Sequence, residues 1–254
     1  MRVSPCLRSV DGYLALIACL IFLVAGSHPI VRAQAKRKPK TPSPKTQQKT
    51  VVPQLPFLSQ QEQALFDEIN YARANPTTYI KFLEQYKSYY KEKLVRLPDG
   101  HSFVTNEGVV ALDEAIEFLK TLKPLTPLLV SKGLALSAKL HLDDLQKSGG
   151  SGHRGTDGSK PEDRFSRFGI WQDSVGENIV YDSRTARNDV IGLIIDDGVA
   201  TRGHRKNLFK PVFKVIGISS GKPIKDKTMC VITFAGGFTE EPQRSGINSP
   251  ILIQ

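Results

Sequence analysis

Cysteine is scarce in this 254-residue chain, with residues only at Cys6, Cys19 and Cys230. The first two fall in an N-terminal targeting segment, so the mature chain keeps a single thiol and closes no internal disulfide. A secreted chain without such staples must be held by its core. About 200 residues suffice for that, because the share of surface buried on folding rises with chain length. Long apolar runs are also missing. The longest, Tyr13 to Ala25, falls short of the ~20 residues that a membrane span needs before Gly26-Ser27-His28-Pro29 ends it. There is no H-E-x-x-H, no C-x-x-C and no P-loop, which excludes the locally encoded zinc-protease, thiol-redox and nucleotide-triphosphatase motifs. Asn75-Pro76-Thr77 is barred from glycosylation by its proline.

What is present includes a surplus of positive charge, 35 Lys and Arg against 25 Asp and Glu. Its placement decides its meaning. Residues 34–50 hold Lys36, Arg37, Lys38, Lys40, Lys45 and Lys49 with no acid, whereas residues 51–254 are nearly balanced at +2. A nucleic-acid-binding domain carries its basic face on the folded part. This chain keeps its surplus in a tail, so no nucleic-acid partner is expected.

Arg2 and Arg8 precede the apolar run, and Val31-Arg32-Ala33 supplies small residues at a cleavage site. That is the pattern of a secretory signal peptide over residues 1–33. Leu16-Ile17-Ala18-Cys19 resembles a lipoprotein box, but the apolar run continues through Cys19. The protein is therefore expected to be secreted, periplasmic or on the cell surface. Residues 34–58, rich in Lys, Pro, Thr and Gln, read as a disordered tether with weak contact to an anionic envelope surface as a by-product. A folded domain is expected over 59–240, with a short tail over 241–254. A monomer is expected.

Within the domain, Ser59-Gln60-Gln61-Glu62 is a capping box for a helix carrying Leu65, Ile69 and Ala72. Asn75-Pro76 ends that helix and caps the next. Pro98-Asp99-Gly100 marks a turn in a short hairpin within 94–105, and Val109 to Leu122 reads as a helix. Ser131 caps a helix over 132–147. Gly149 to Gly158 is too glycine-rich for a regular element. A short helix follows over 161–168, an apolar helix over 185–197, a second loop over 198–207, and two strands over 213–219 and 229–234. Helices first and strands last indicate α+β. Gly217-Ile218-Ser219-Ser220-Gly221 matches G-x-S-x-G, but a second strand follows where a nucleophile elbow needs a helix. Cys230 reads as a buried strand residue, a small hydrophobe rather than a reactive thiol.

Four histidines remain after the leader. His101 sits beside a turn, and His141 lies among leucines on a helix, where a structural role is the simpler reading. His153 and His204 are different, because each is glycine-flanked in a loop, where the backbone can carry an imidazole into a cleft. Glu177 is glycine-preceded as well. Two imidazoles and a carboxylate are enough protein ligands for a divalent ion with one open position. Spacings of 24 and 27 residues do not encode such a site locally.

The ordered pieces Phe66 to Arg73 with Asn75-Pro76, Gly152-His153 with Asp157-Gly158-Ser159, Gly176-Glu177-Asn178-Ile179, Gly203-His204-Arg205-Lys206-Asn207-Leu208 and Val215-Ile216-Gly217 carry a resemblance. Over about residues 60–238 the chain resembles the CAP superfamily, also called SCP, and within it the bacterial secreted members. The resemblance implies a three-layer α-β-α sandwich with a central cleft. It implies His153, Glu177 and His204 as ligands of one divalent cation, zinc foremost. The family's second acid lies on the helix before the second histidine. Here that helix ends in Asp196-Asp197 without a glutamate, so one of these aspartates is expected to stand in. Arg154 and Arg205, beside the two histidines, read as loop braces, and Arg205 is also a candidate for an anionic ligand. The segment 94–128 is longer than a minimal family domain needs, and either packs as an extra helix or covers one end of the cleft.

Three functions are open on this reading. The first is a binding module whose cleft takes a lipid, sterol, glycan or peptide of the extracellular space or envelope. The second is a metal-dependent hydrolase in which zinc activates water. The third is a structural cluster that only fixes the loops. The resemblance favours the first and the absent second glutamate tilts away from the hydrolase, so whether the chain is an enzyme stays open, with the reading leaning against it.

Overall fold

The computed structural model describes residues 57–224 and 227–241. The leader over 1–33, the tether up to residue 56 and the tail from 242 lie outside the described residues, as do residues 225 and 226 of the last hairpin.

The chain begins with two helices, α1 (Gln60–Ala74) and α2 (Pro76–Lys87). The capping box is formed: Ser59 Oγ accepts from Glu62 N, and the Glu62 carboxylate accepts from Ser59 N at 2.8 Å. Asn75 is not the side-chain cap expected for α2, because its amide donates back to Tyr71 O. Pro76 at the first helical position starts α2 instead, where a missing N–H costs nothing. The segment that follows is a three-stranded meander, β1 (Tyr90–Lys91), β2 (Leu94–Arg96) and β3 (Ser102–Val104), in the order β1-β2-β3. Then come α3 (Val109–Thr121), β4 (Leu129–Val130) and α4 (Lys132–Ser148). Ser131 caps α4 by accepting from Leu134 N, and Gly149 ends it at φ 68°, a left-handed position that suits glycine.

After the glycine-rich loop, α5 (Pro161–Phe165) leads into β5 (Gly169–Tyr181), a strand with no counterpart in the sequence reading. A register shift between Gln172 and Val175 breaks its alternation, which hides the period-2 signal. α6 (Ala186–Ile195) and a single-turn helix α7 (Gly203–Leu208) precede the long hairpin of β6 (Val215–Ile224) and β7 (Lys227–Glu240). G-x-S-x-G lies inside β6, as the rejection of a nucleophile elbow requires.

The main sheet has the order β4-β6-β7-β5, with β6, β7 and β5 antiparallel and β4 parallel to β6. Side chains alternate across it. Cys230, Ile232 and Phe234 of β7 join Ile216 and Ile218 of β6 in a core with α1, α2, α3 and α6. Met229 and Val231, pointing the other way, pack with Ile179 beneath Ala138, Leu142 and Leu145 of α4. One sheet with helices on both faces is the α-β-α sandwich. α4 crosses β6 so closely that a Cβ on Gly217 would run into the Leu134–Ala135 backbone. Cys230 is buried, and burial pushes its thiol up to about 12.

Candidate functional site

The first histidine is carried by the loop between α4 and α5. Asp144, at the end of α4, accepts from Thr156 N at 2.8 Å and from its hydroxyl, and Asp157 accepts from Ser159 N at 2.9 Å and from Arg167. Arg154 donates to Gly158 O and braces the loop from within. The run Gly150 to Gly155 also spells G-x-G-x-x-G, but it follows a helix rather than a strand, which is not the dinucleotide-binding context. His153 emerges from this loop with its side chain 46% exposed.

Glu177 lies on β5 with its carboxylate buried. Its Oε1 is 3.0 Å from His153 Nδ1, and its Oε2 accepts from Arg164 at 2.8 Å. Arg164 is itself buried. Its second terminal nitrogen donates to His153 O and Ser159 O at 3.1 Å, so one guanidinium ties the loop to the strand. The sequence reading missed Arg164. It sits in an ordinary charged stretch of a short helix, where only its burial reveals a role.

His141, fully buried on α4, completes this corner. Its Nε2 lies 2.9 Å from Gly152 O and 3.8 Å from Glu177 Oε1. Burial holds its imidazole below the ordinary value, against the opposing pull of Glu177. Its structural role is the one expected. Its ring N–H donates to the Gly152 carbonyl and so supports the His153 loop.

The second histidine is not in a loop, as its glycine neighbour suggested, but in the first turn of α7. Asp196 fixes it. Asp196 caps α6 at φ 56°, a left-handed conformation that aspartate tolerates. Its carboxylate accepts from His204 N at 2.9 Å and Arg205 N at 3.3 Å, and lies 2.6 Å from His204 Nδ1. Of the two candidate aspartates, Asp196 is therefore the one that meets the histidine. Asp197 faces elsewhere, accepting from Asn106 N at 2.6 Å and Glu107 N at 2.8 Å, and so fastens the segment before α3 to the end of α6. Arg205 also departs from its cleft assignment. It is buried, bonded to the carbonyls of Ile194 and Ile195 and paired with Glu114, which leaves it no free face for a ligand. Arg202 joins the same network through Glu107 and Glu114.

The two imidazoles come together, with ring centres 6.2 Å apart. Each turns Nδ1 to a carboxylate. A carboxylate only accepts, so in each ring Nδ1 carries a proton, and in the neutral ring Nε2 keeps its lone pair. Neither Nε2 has a hydrogen bond among the described residues. The expected three-ligand set of His153, His204 and Glu177 does not converge. Among the described residues no three His, Cys, Asp or Glu side chains are grouped to hold a metal, and the oxygens of Glu177 are engaged by His153 and Arg164. What remains is a pair of imidazoles, each oriented by its own acid. An imidazole-bound zinc lies ~2.0–2.1 Å from nitrogen, so two rings sharing one ion have centres roughly 5–6 Å apart. The observed 6.2 Å lies just outside that range, and the donors present are two imidazoles with carboxylate support and no third ligand grouped beside them among the described residues.

Comparison with known proteins gives a family. The model of CAP, the cysteine-rich secretory protein family, matches residues 66–233. Among solved structures, an outer surface protein from Borrelia burgdorferi is similar at 19% identity and a TM-score of 0.39, over 51% of this chain and 89% of that one. An extracellular protein containing a SCP domain from Bacillus anthracis is similar at 23% identity and a TM-score of 0.35, over 44% of this chain and 34% of that one. No curated protein matches at a significant level. No helix among the described residues is long and apolar enough to cross a membrane.

Proposed function

Because this chain belongs to the CAP, or cysteine-rich secretory protein, family, we propose that it is an extracytoplasmic binding module whose ligand is held at His153 and His204. The leader read from residues 1–33 supports export, and the basic segment 34–50 supports retention near an anionic envelope surface. The two histidines would hold a divalent cation, zinc foremost, with Glu177 and Asp196 behind them as orienting acids. Such an ion supplies Lewis acidity that fixes a carbonyl or anionic oxygen of the ligand.

The observation that carries this reading is the pairing of each imidazole Nδ1 with a buried carboxylate, which leaves both Nε2 atoms unengaged at partly exposed rings. Neither acid is free to act as a base, since Glu177 is engaged by His153 and Arg164 and Asp196 by the His204 ring and two backbone N–H groups, so any proton transfer would fall to an imidazole Nε2, which the binding reading assigns to the ion. Holding an ion or ligand through both Nε2 atoms is the reading that this pairing supports best.

Long-range nitrogen NMR of the imidazoles tests this directly. Both rings are expected to show a protonated Nδ1 and a lone-pair Nε2, and addition of zinc is expected to shift the two Nε2 resonances together. Zinc that leaves both resonances in place would contradict the cation site.

A further inference from the structure

His153 and His204 are held by consecutive residues of one strand. Neighbouring side chains of a strand leave on opposite faces. On β5, Glu177 reaches the His153 ring, with Oε1 3.0 Å from Nδ1. Asn178 reaches the other way and donates from Nδ2 to the backbone carbonyl of His204 at 3.1 Å. The strand is fixed at this level by its register with β7, Glu177 opposite Thr233 and Asn178 opposite Ile232. β5 is therefore the common base on which both histidines are mounted.

Asn178 works with Asn207, which follows His204 by one turn of α7. Asn207 Nδ2 donates to Asn178 Oδ1 at 2.9 Å and to Glu177 O at 3.3 Å. Backbone carbonyls only accept, which fixes both amides in this orientation. Asn178 is fully buried. Among the described residues, all three hydrogen bonds between α7 and β5 run through these two side chains. The other bonds of α7 lead away from β5. Asp196 and Arg205 tie it to the end of α6, and Glu114 of α3 takes the Arg205 guanidinium. A helix of 6 residues does not hold itself in place. Asp196 aims the His204 ring, and the two asparagines decide how far from β5, and so from His153, that ring stands.

Gly176 leaves room for this contact. A Cβ there would lie 2.9 Å from Phe213 Cζ and 3.0 Å from Asn207 Oδ1. Phe213 is buried in the close-packed core, so a side chain at 176 would press Asn207 off the strand.

We infer that Asn178 and Asn207 are positioning residues that set the separation of His153 and His204, with Gly176 as the clearance they require. The ring centres stand 6.2 Å apart, which leaves a shared ion no room for α7 to drift outward. Sites of this kind tolerate only ~0.5 Å of displacement. The consequence for a cation rests on the reading of the two histidines as one ligand pair; the separation itself does not.

The test compares wild type with Asn207→Ala, Asn178→Leu, Gly176→Ala and Lys206→Ala by NMR. Lys206 is an exposed position of α7 whose side chain makes no bond to β5. Wild type and Lys206→Ala are expected to show a nuclear Overhauser cross-peak between the two imidazole rings. The other three variants are expected to lose it while both Nδ1–H signals stay, because neither carboxylate–imidazole contact passes through an asparagine. A general loss of structure would take the Nδ1–H signals as well. Asn178→Leu leaves buried partners unpaired. Asn207 is only partly buried, so Asn207→Ala keeps the test readable if the other variants fail to fold. A cross-peak missing from wild type, unchanged in folded Asn207→Ala, or lost there together with the Nδ1–H signals overturns the inference. Zinc titration of the same samples reports the cation separately. Affinity is expected to fall about 10–100-fold in the variants that lose the cross-peak. A wild type that binds no zinc, with the cross-peak lost as expected in Asn207→Ala, supports the positioning and sinks the cation reading alone.

Discussion

Asp196 holds His204 at two points, accepting from its backbone N–H at 2.9 Å and lying 2.6 Å from its Nδ1. Both contacts come from a residue in the left-handed conformation at the end of α6, so the helix end and the histidine are set by one carboxylate.

Asp196→Asn keeps an acceptor and a residue type that tolerates positive φ, but removes the charge. The fold is expected to survive. Zinc affinity is expected to fall by about 10–100-fold, the usual effect of losing an orienting acid behind a metal-bound histidine. Calorimetric titration of both proteins checks this, and equal affinity would show that Asp196 does not act through His204.

Arg164 and Glu177 form a buried ion pair, with side chains 2% and 1% exposed. Removing one partner leaves an uncompensated buried charge, so Arg164→Met is expected to cost about 3–5 kcal/mol in urea unfolding. The double variant Arg164→Met/Glu177→Gln is expected to recover part of that loss. A double variant as unstable as the sum of the two singles would mean that the pair is not coupled.

Two glycines predict opposite outcomes for the same substitution. Gly192→Ala is expected to raise stability by about 0.5–1 kcal/mol, because the site is helical and open. Gly217→Ala is expected to destabilise strongly, because its methyl would meet the α4 backbone, which cannot move without opening the sheet–helix interface. Thermal unfolding of both variants decides the matter, and shifts of the same sign would contradict the packing described.

Acid sensitivity follows from depressed acids. The Arg202 guanidinium, with help from Gly198 N–H, lowers Glu107 from 4.5 to about 2. The folded state therefore holds this group ionised where the unfolded chain would protonate it. Its contribution is present above about pH 4.5 and is lost as pH falls through about 2. His141, held below its ordinary 6.5 by burial, acts in the same direction at higher pH. The unfolded chain takes up its proton first, so stability falls as pH drops below 6.5. Urea midpoints from about pH 7 to 2 are expected to fall in both windows. Glu107→Gln is expected to flatten only the lower one, and an unchanged lower slope would refute the Glu107 assignment.

Much of this arrangement was legible in the sequence where the signal was local. The Ser59 capping box, the Ser131 cap and the Pro98-Asp99-Gly100 turn are encoded within four residues, and each formed. Glycine-flanked His153 and His204 pointed to the site because glycine there reports on the backbone. β5 was not legible, since its shifted register around Gln172 and Val175 destroys the alternation that marks a strand. Arg164 and the choice of Asp196 over Asp197 were not legible either. Both depend on which side chain turns toward a partner far along the chain, and neighbouring aspartates at a helix end differ only in that direction.

The central claim is that two carboxylate-supported imidazoles hold one divalent ion. Elemental mass spectrometry of the protein after dialysis against trace zinc, beside the His153→Ala/His204→Ala variant, tests it most directly. About one zinc per chain, lost in a variant that still unfolds cooperatively, is the predicted result. Equal metal in both proteins, or none in either, would contradict it.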